Sequence, residues 1–212
     1  MRKLILRMSV SLDGFVSGPN GESDWIFRTS SADSLESVVS LLRQAGAHAM
    51  GSRTYYDMAA FWPYSASPLA DSMNAIPKIV FARHGIKDGT QVDAKTRALA
   101  DAQRDRIGQR TVTPTEAVLQ SWAKPTVVSG DLAEEVARLK QQSGDFILAH
   151  GGARFAQSLV ATGLIDEYRL IVHPVALGRG LPLFSGLQQP IDLRLVSTTA
   201  YSSGVVAAVY QP

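Results

Sequence analysis

Two short turns in this chain carry residue types at spacings that can do chemistry. The first is His150-Gly151-Gly152, which follows the apolar run Phe146-Ile147-Leu148-Ala149 and precedes a helix-compatible segment. A strand, a glycine pair and a helix start make an anion site. The glycines let backbone amides approach a ligand closely, and the helix adds unpaired donors and the positive end of its dipole. The second turn is Met50-Gly51-Ser52-Arg53-Thr54, where a short apolar strand again meets a glycine at a helix start. Thr54 can donate to a phosphate oxygen there, and Arg53 can grip a phosphate in bidentate fashion. Arg83, just past a strand over 78–82, can reach the same region. Two such turns in one domain suit a ligand with separated phosphates, as in a dinucleotide, and an arginine pair selects the extra 2′-phosphate of NADP. Asp13-Gly14 is first a turn signal and second a ligand contact. Trp25, at the end of the loop that Asp13 opens, is read either as a lid over ligand or as core packing.

The remaining composition excludes other chemistries. His48, His84, His150 and His173 show no metal-ligand spacing, so no metal site is expected. The absence of cysteine removes disulfides, cysteine-based zinc sites, iron–sulfur clusters and a thiol nucleophile. A net charge of +2, from 21 basic and 19 acidic residues spread along the chain, gives no basic stripe for nucleic acid. No apolar run reaches membrane-spanning length. The opening MRKLILRMSV starts basic and turns apolar, as a secretory signal does, but Arg7 interrupts it. A first strand explains it better, and the chain reads as cytoplasmic.

Elements must position these turns. Leu4, Leu6, Met8 and Val10 alternate with Ile5, Arg7 and Ser9, which predicts a strand over 3–10. A turn-rich loop then runs to Trp25. Ser31-Ala32-Asp33 caps a helix carrying Leu35, Val38, Val39, Leu41 and Leu42. Further strands are expected over 47–50, 78–82, 126–129, 145–149 and 166–173, with helices over 55–60, 94–106, 132–139 and 153–162. Two last strands, 191–199 and 204–210, form a hairpin about Ser202-Ser203-Gly204. This alternation predicts one α/β domain over 1–212, with a mostly parallel sheet and an antiparallel C-terminal hairpin. The polar stretch 85–124 reads as an insertion or a loosely packed excursion.

Residues 1–84 and 125–184 resemble the dihydrofolate reductase superfamily. The nearest branch holds the reductase domain of the riboflavin-biosynthesis deaminase-reductase and small bacterial relatives. The matching motifs are Ser11-Leu12-Asp13-Gly14, Gly51-Ser52-Arg53-Thr54-Tyr55, Phe61-Trp62-Pro63, Val128-Ser129-Gly130-Asp131-Leu132, His150-Gly151-Gly152-Ala153, Gly163 to Glu167, and Pro174 to Phe184. The resemblance implies a three-layer fold and an NADPH-dependent reductase of a small heterocyclic, pyrimidine- or pteridine-like substrate. It places Gly151 and Gly152 at the pyrophosphate, with Ala153 and Arg154 starting the helix behind them. It places Gly51, Arg53 and Thr54 at the adenosine phosphates. Ser52 stands where the family has an arginine, so selection of the 2′-phosphate falls to Arg53 or Arg83. The proton-related carboxylate maps to Asp33 or Glu36, on one face of the helix after Trp25. Asp13 and Trp25 are then the nearest substrate contacts, and a homodimer is implied. Two alternatives stay open. One is the 5-amino-6-(5-phosphoribosylamino)uracil reductase step of riboflavin synthesis, set against the lack of the zinc-deaminase domain that often accompanies it. The other is a degenerate member that binds nucleotide without turnover.

Overall fold

A computed structural model describes residues 1–87, 92–106 and 108–212. The chain enters through β1 (Leu4–Ser11), β2 (Phe15–Ser17), α1 (Asp24–Arg28) and α2 (Ala32–Gln44). It continues through β3 (Ala47–Gly51), α3 (Ser52–Phe61), α4 (Ala70–Ala75) and β4 (Lys78–Phe81). Next come α5 (Ala94–Arg106), α6 (Glu116–Ala123), β5 (Thr126–Val128), α7 (Leu132–Gln141), β6 (Ile147–Ala149) and α8 (Ala153–Ala161). The last strands are β7 (Glu167–His173), β8 (Leu181–Pro182), β9 (Arg194–Ala200) and β10 (Val206–Gln211).

Eight strands form one sheet in the order β5-β4-β3-β6-β1-β7-β10-β9. Pairing is parallel from β5 to β7 and antiparallel for β7–β10 and β10–β9. The expected mostly parallel sheet with an antiparallel C-terminal hairpin is therefore present. Its turn closes where Gly204, at φ 82°, donates to Tyr201.

The alternation along β1 explains the layering. Leu4, Leu6, Met8 and Val10 face a core cluster with Val136 and Leu139 of α7 and Ala156, Leu159 and Val160 of α8. Ile5 faces the other cluster, built with Leu42 of α2, Tyr55 and Ala59 of α3, Met73 of α4, Ala100 of α5 and Trp122 of α6. Helices thus cover both faces, as a parallel sheet requires.

Three local expectations differ from the structure. The loop up to Trp25 holds β2 and α1, and Trp25 is only 2% exposed, edge-on to the His173 ring at 5.2 Å. The strand over 145–149 is shorter, because Phe146 lies outside β6 and its carbonyl accepts from Gly46. The stretch after β4 is firmly attached where it is described. Buried Arg104 of α5 donates to the carbonyls of Ala60 and Phe61 at 3.1 Å each and pairs with Asp101. It thereby ties α5 to the carbonyls at the end of α3. Residues 88–91 of that stretch lie outside the described residues.

Candidate active site

All strands from β5 to β7 run the same way, so their C-terminal ends share one edge, and α3 and α8 begin there directly after β3 and β6. A cavity of about 1290 Å³ opens along this edge and extends under α2 across one face of the sheet. Single-ligand pockets span roughly 300–1,000 Å³, so this cavity is larger than one small ligand fills.

At one end the two glycine turns meet. Gly151 and Gly152 have φ of 90° and 77°, in the left-handed region. A Cβ on Gly152 would lie 2.5 Å from Thr54 Oγ1, and one on Gly151 would lie 2.8 Å from Thr54 Cγ2. The turns that sequence spacing marked as separate anion sites are therefore in direct contact. Gly51 and Gly152 are the N-cap residues of α3 and α8, and neither supplies a side-chain cap. By contrast Thr115 and Asp131 cap α6 and α7 with their own oxygens. The first-turn amides of α3 and α8 are thus left for a ligand.

The wall here includes Gly51, Ser52, Arg53, Thr54 and the run His150 to Phe155, which contains Ala153 and Arg154. Arg83 lines a satellite cavity of about 230 Å³ instead, which shares Phe81, Phe155 and Ser158 with the main one. The structure therefore brings together every residue of the two turns and sets Arg83 next door.

The other expected residues lie off the wall. The Asp13 carboxylate accepts from the Gly178 amide at 2.7 Å, the Leu177 amide and the Ser11 hydroxyl, and these bonds hold it down at about 2. It fastens the loop after β7. Asp33 accepts from the Ser31 hydroxyl and from the amide and hydroxyl of Ser202, and it too is held near 2. It ties the start of α2 to the C-terminal hairpin. Glu36 is exposed, and Trp25 is core.

Sequence reasoning passed over Asp57, Glu22, Arg7, Arg169 and His173 among the charged and titratable lining groups. Asp57 lies one helical turn after Arg53 on α3, and that spacing was the available signal. Asp57 is exposed at the cavity rim, yet its carboxyl is raised by the desolvation it meets there, with Arg53 opposing the rise and Asp93 adding to it. The other acidic lining group, Glu22, is lowered by its bond from Asn20. Arg7 and Arg169 stand side by side in register on β1 and β7 and both line the cavity. A polar residue on the second face of an otherwise buried strand was the sign of Arg7. His150 and His173 complete this inner part and are held uncharged, His150 well below its ordinary value and His173 at about 4, chiefly by burial. Among the described residues no cluster of histidines and carboxylates could hold a metal ion, and no helix is long and apolar enough to cross a membrane.

Residues 2–207 match the RibD C-terminal domain family. The Bacillus subtilis protein YyaP is 30% identical over 209 residues, which are 99% of this chain and 94% of YyaP. A second B. subtilis protein, YwjB, is 41% identical over 69 residues, or 32% of this chain and 40% of its own. A putative riboflavin biosynthesis protein from Shewanella sp. PV-4 has a similar structure, with a TM-score of 0.66 at 19% identity, covering 99% of this chain and 98% of that one. The Thermotoga maritima diaminohydroxyphosphoribosylaminopyrimidine deaminase/5-amino-6-(5-phosphoribosylamino)uracil reductase also gives a TM-score of 0.66, at 17% identity. It covers all of this chain, which spans 56% of that longer protein. At these identities the structural likeness speaks for the shared α/β fold. The domain match over nearly the whole length establishes that the chain belongs to the RibD C-terminal domain family.

Proposed function

We propose that this protein is an NADPH-dependent reductase of a small heterocyclic substrate. The observation that carries the reading is the contact between Gly151-Gly152 and Thr54, which sets two uncapped helix N-termini against one cavity. Family membership supports reduction of the riboflavin-pathway type, and the Thermotoga protein's name includes such a reductase.

The residues present fit the cofactor. Glycines at positive φ leave a cradle that a Cβ would fill, and the amides behind them suit a pyrophosphate. Thr54 and Arg53 add a hydroxyl and a cation on the same wall. Ser52 contributes no charge, so we assign 2′-phosphate recognition to Arg53 on the main wall or Arg83 in the satellite cavity. Bound NADPH supplies the hydride, and the protein orients it and supplies the proton. We place that proton on Asp57, which lines the cavity with a raised carboxyl, rather than on Asp33 or Glu36, which do not line it. The residues under α2 and on the sheet face leave room for the substrate beside the cofactor.

Fluorescence titration with NADPH and NADH tests this directly. NADPH is expected to bind below millimolar concentration, and failure of both nucleotides to bind would sink the reductase reading. Arg53→Ala or Arg83→Ala is expected to weaken NADPH by about tenfold or more while sparing NADH, since a charge-assisted hydrogen bond contributes roughly 1.5–3 kcal/mol. Equal losses for both nucleotides would remove that arginine from 2′-phosphate recognition. Loss of NADPH absorbance with dihydrofolate and with an aminopyrimidine ribosyl phosphate then separates the substrate classes.

A further inference from the structure

The face of β1 that carries Ile5 into the core continues with Arg7 and Ser9, and these two open into the cavity. Strand register extends them into a floor. One row crosses the sheet through Arg7, Arg169, Val209 and Ser197, and the next through Ser9, Ile171, Ala207 and Thr199. Tyr201, just beyond β9, closes the outer side.

Charge on this floor is not balanced. Arg169 donates from Nε to Glu167 at 2.6 Å and is paired. Among the described residues Arg7 has neither an ion pair nor a hydrogen bond, and its Nε is buried without a protein partner. The titratable groups that feel its charge are His48, His150, His173 and Tyr201, and none is a carboxylate. Burial keeps those histidines neutral. A guanidinium cannot escape in the same way, because it keeps its proton at any physiological pH. An unpaired, half-buried charge costs a fold stability, so a cation left in this state at a cavity floor points to a ligand that neutralises it.

We infer that Arg7 docks a planar, singly charged oxyanion of the substrate, either a carboxylate or the ionised amide of a heterocycle. That this occupant is the substrate rests on the reductase reading. The one-charge limit follows from the pairing of Arg169 with Glu167, which leaves no second cation on the floor for a dianion. Planarity follows from the guanidinium, whose two Nη donors, unlike the closed-off Nε, are open to the cavity and lie in one plane that matches two acceptor atoms of a flat group. The hydroxyls of Ser9 on β1 and of Ser197 and Thr199 three strands away line the same floor and offer neutral donors and acceptors along it.

Calorimetric titration of the full chain and of Arg7→Met with benzoate, benzamide and phenyl phosphate tests the assignment. Benzoate is expected to bind the natural protein at least tenfold more tightly than benzamide, and Arg7→Met is expected to abolish that preference. Equal binding, undetectable benzoate binding, or a preference that survives Arg7→Met overturns the proposal. Phenyl phosphate binding more tightly than benzoate through Arg7 overturns the single-charge assignment. Thermal melting guards against a merely structural role: Arg7→Met should melt at or above the natural protein, and a drop of several degrees would make Arg7 a structural residue. NADPH titration of both proteins keeps the two readings apart. NADPH binding without a benzoate preference sinks this inference alone. A benzoate preference without NADPH binding sinks the reductase reading and leaves Arg7 as an anion site.

Discussion

Single residues divide the carboxylates of this protein into fasteners and a candidate acid. Asp13 and Asp33 accept several hydrogen bonds each, which hold the charged form and keep both near 2. Such groups are poor proton donors at neutral pH. Asp57 is moved the other way by desolvation, which favours the protonated form that general-acid catalysis needs. Carboxyl NMR titration is expected to separate Asp57, above the ordinary aspartate range, from Asp13 and Asp33 below it. Asp57→Asn should then cut turnover by roughly a hundredfold or more, the usual scale for loss of a general acid, while NADPH affinity holds. Unchanged turnover, or an Asp57 that titrates with the other two, would remove it from the mechanism.

At the scale of elements, legibility in the sequence followed periodicity and glycine. The alternation of Leu4, Leu6, Met8 and Val10 marks β1 because a buried strand repeats every second residue, and the Gly151-Gly152 turn is marked because its positive φ angles strongly favour glycine. What α2 covers was not legible. Its acidic residues share a helical face on paper, but the C-terminal hairpin reaches back through Ser202 and occupies Asp33, a contact between positions 169 residues apart. The register of Arg7 with Arg169 was equally hidden, since strand pairing is set by the fold and not by local pattern. The hairpin also bears on assembly. Every residue of β9 is exposed, including Leu195 and Val196 at 51% and 46%, and one edge of the strand has no neighbour in the sheet. An apolar open edge invites pairing with a second chain. We propose that β9 mediates a homodimer; light scattering should report twice the chain mass, and Val196→Lys should shift it toward the monomer. A natural protein that scatters as a monomer rules this out.

The molecule as a whole keeps its buried bases uncharged, and that makes its stability depend on pH. His48 is lowered to about 3 and His173 to about 4, with His150 also well down, mainly by burial. In the unfolded chain each titrates near 6.5, so between about 6.5 and 4 the unfolded state takes up protons that the folded state refuses. Their contribution is therefore complete above about 6.5 and is lost as the pH falls, at up to about 1.4 kcal/mol per pH unit for each histidine. Asp13 and Asp33 act in a lower window, below about 3.9, where their lowered carboxyls begin to protonate in the unfolded chain. Denaturant midpoints should thus begin to drop just below neutral pH; a midpoint that stays flat down to about pH 5 would contradict the burial of these histidines as neutral bases. The place of β1 has a consequence of another kind. Its neighbours are β6 and β7, and the floor around Arg7 is completed only by residues 169–209. A ribosome releases this apolar strand long before anything exists to flank it. The growing chain must carry β1 with both edges open, and the cavity is the last part of the molecule it can acquire.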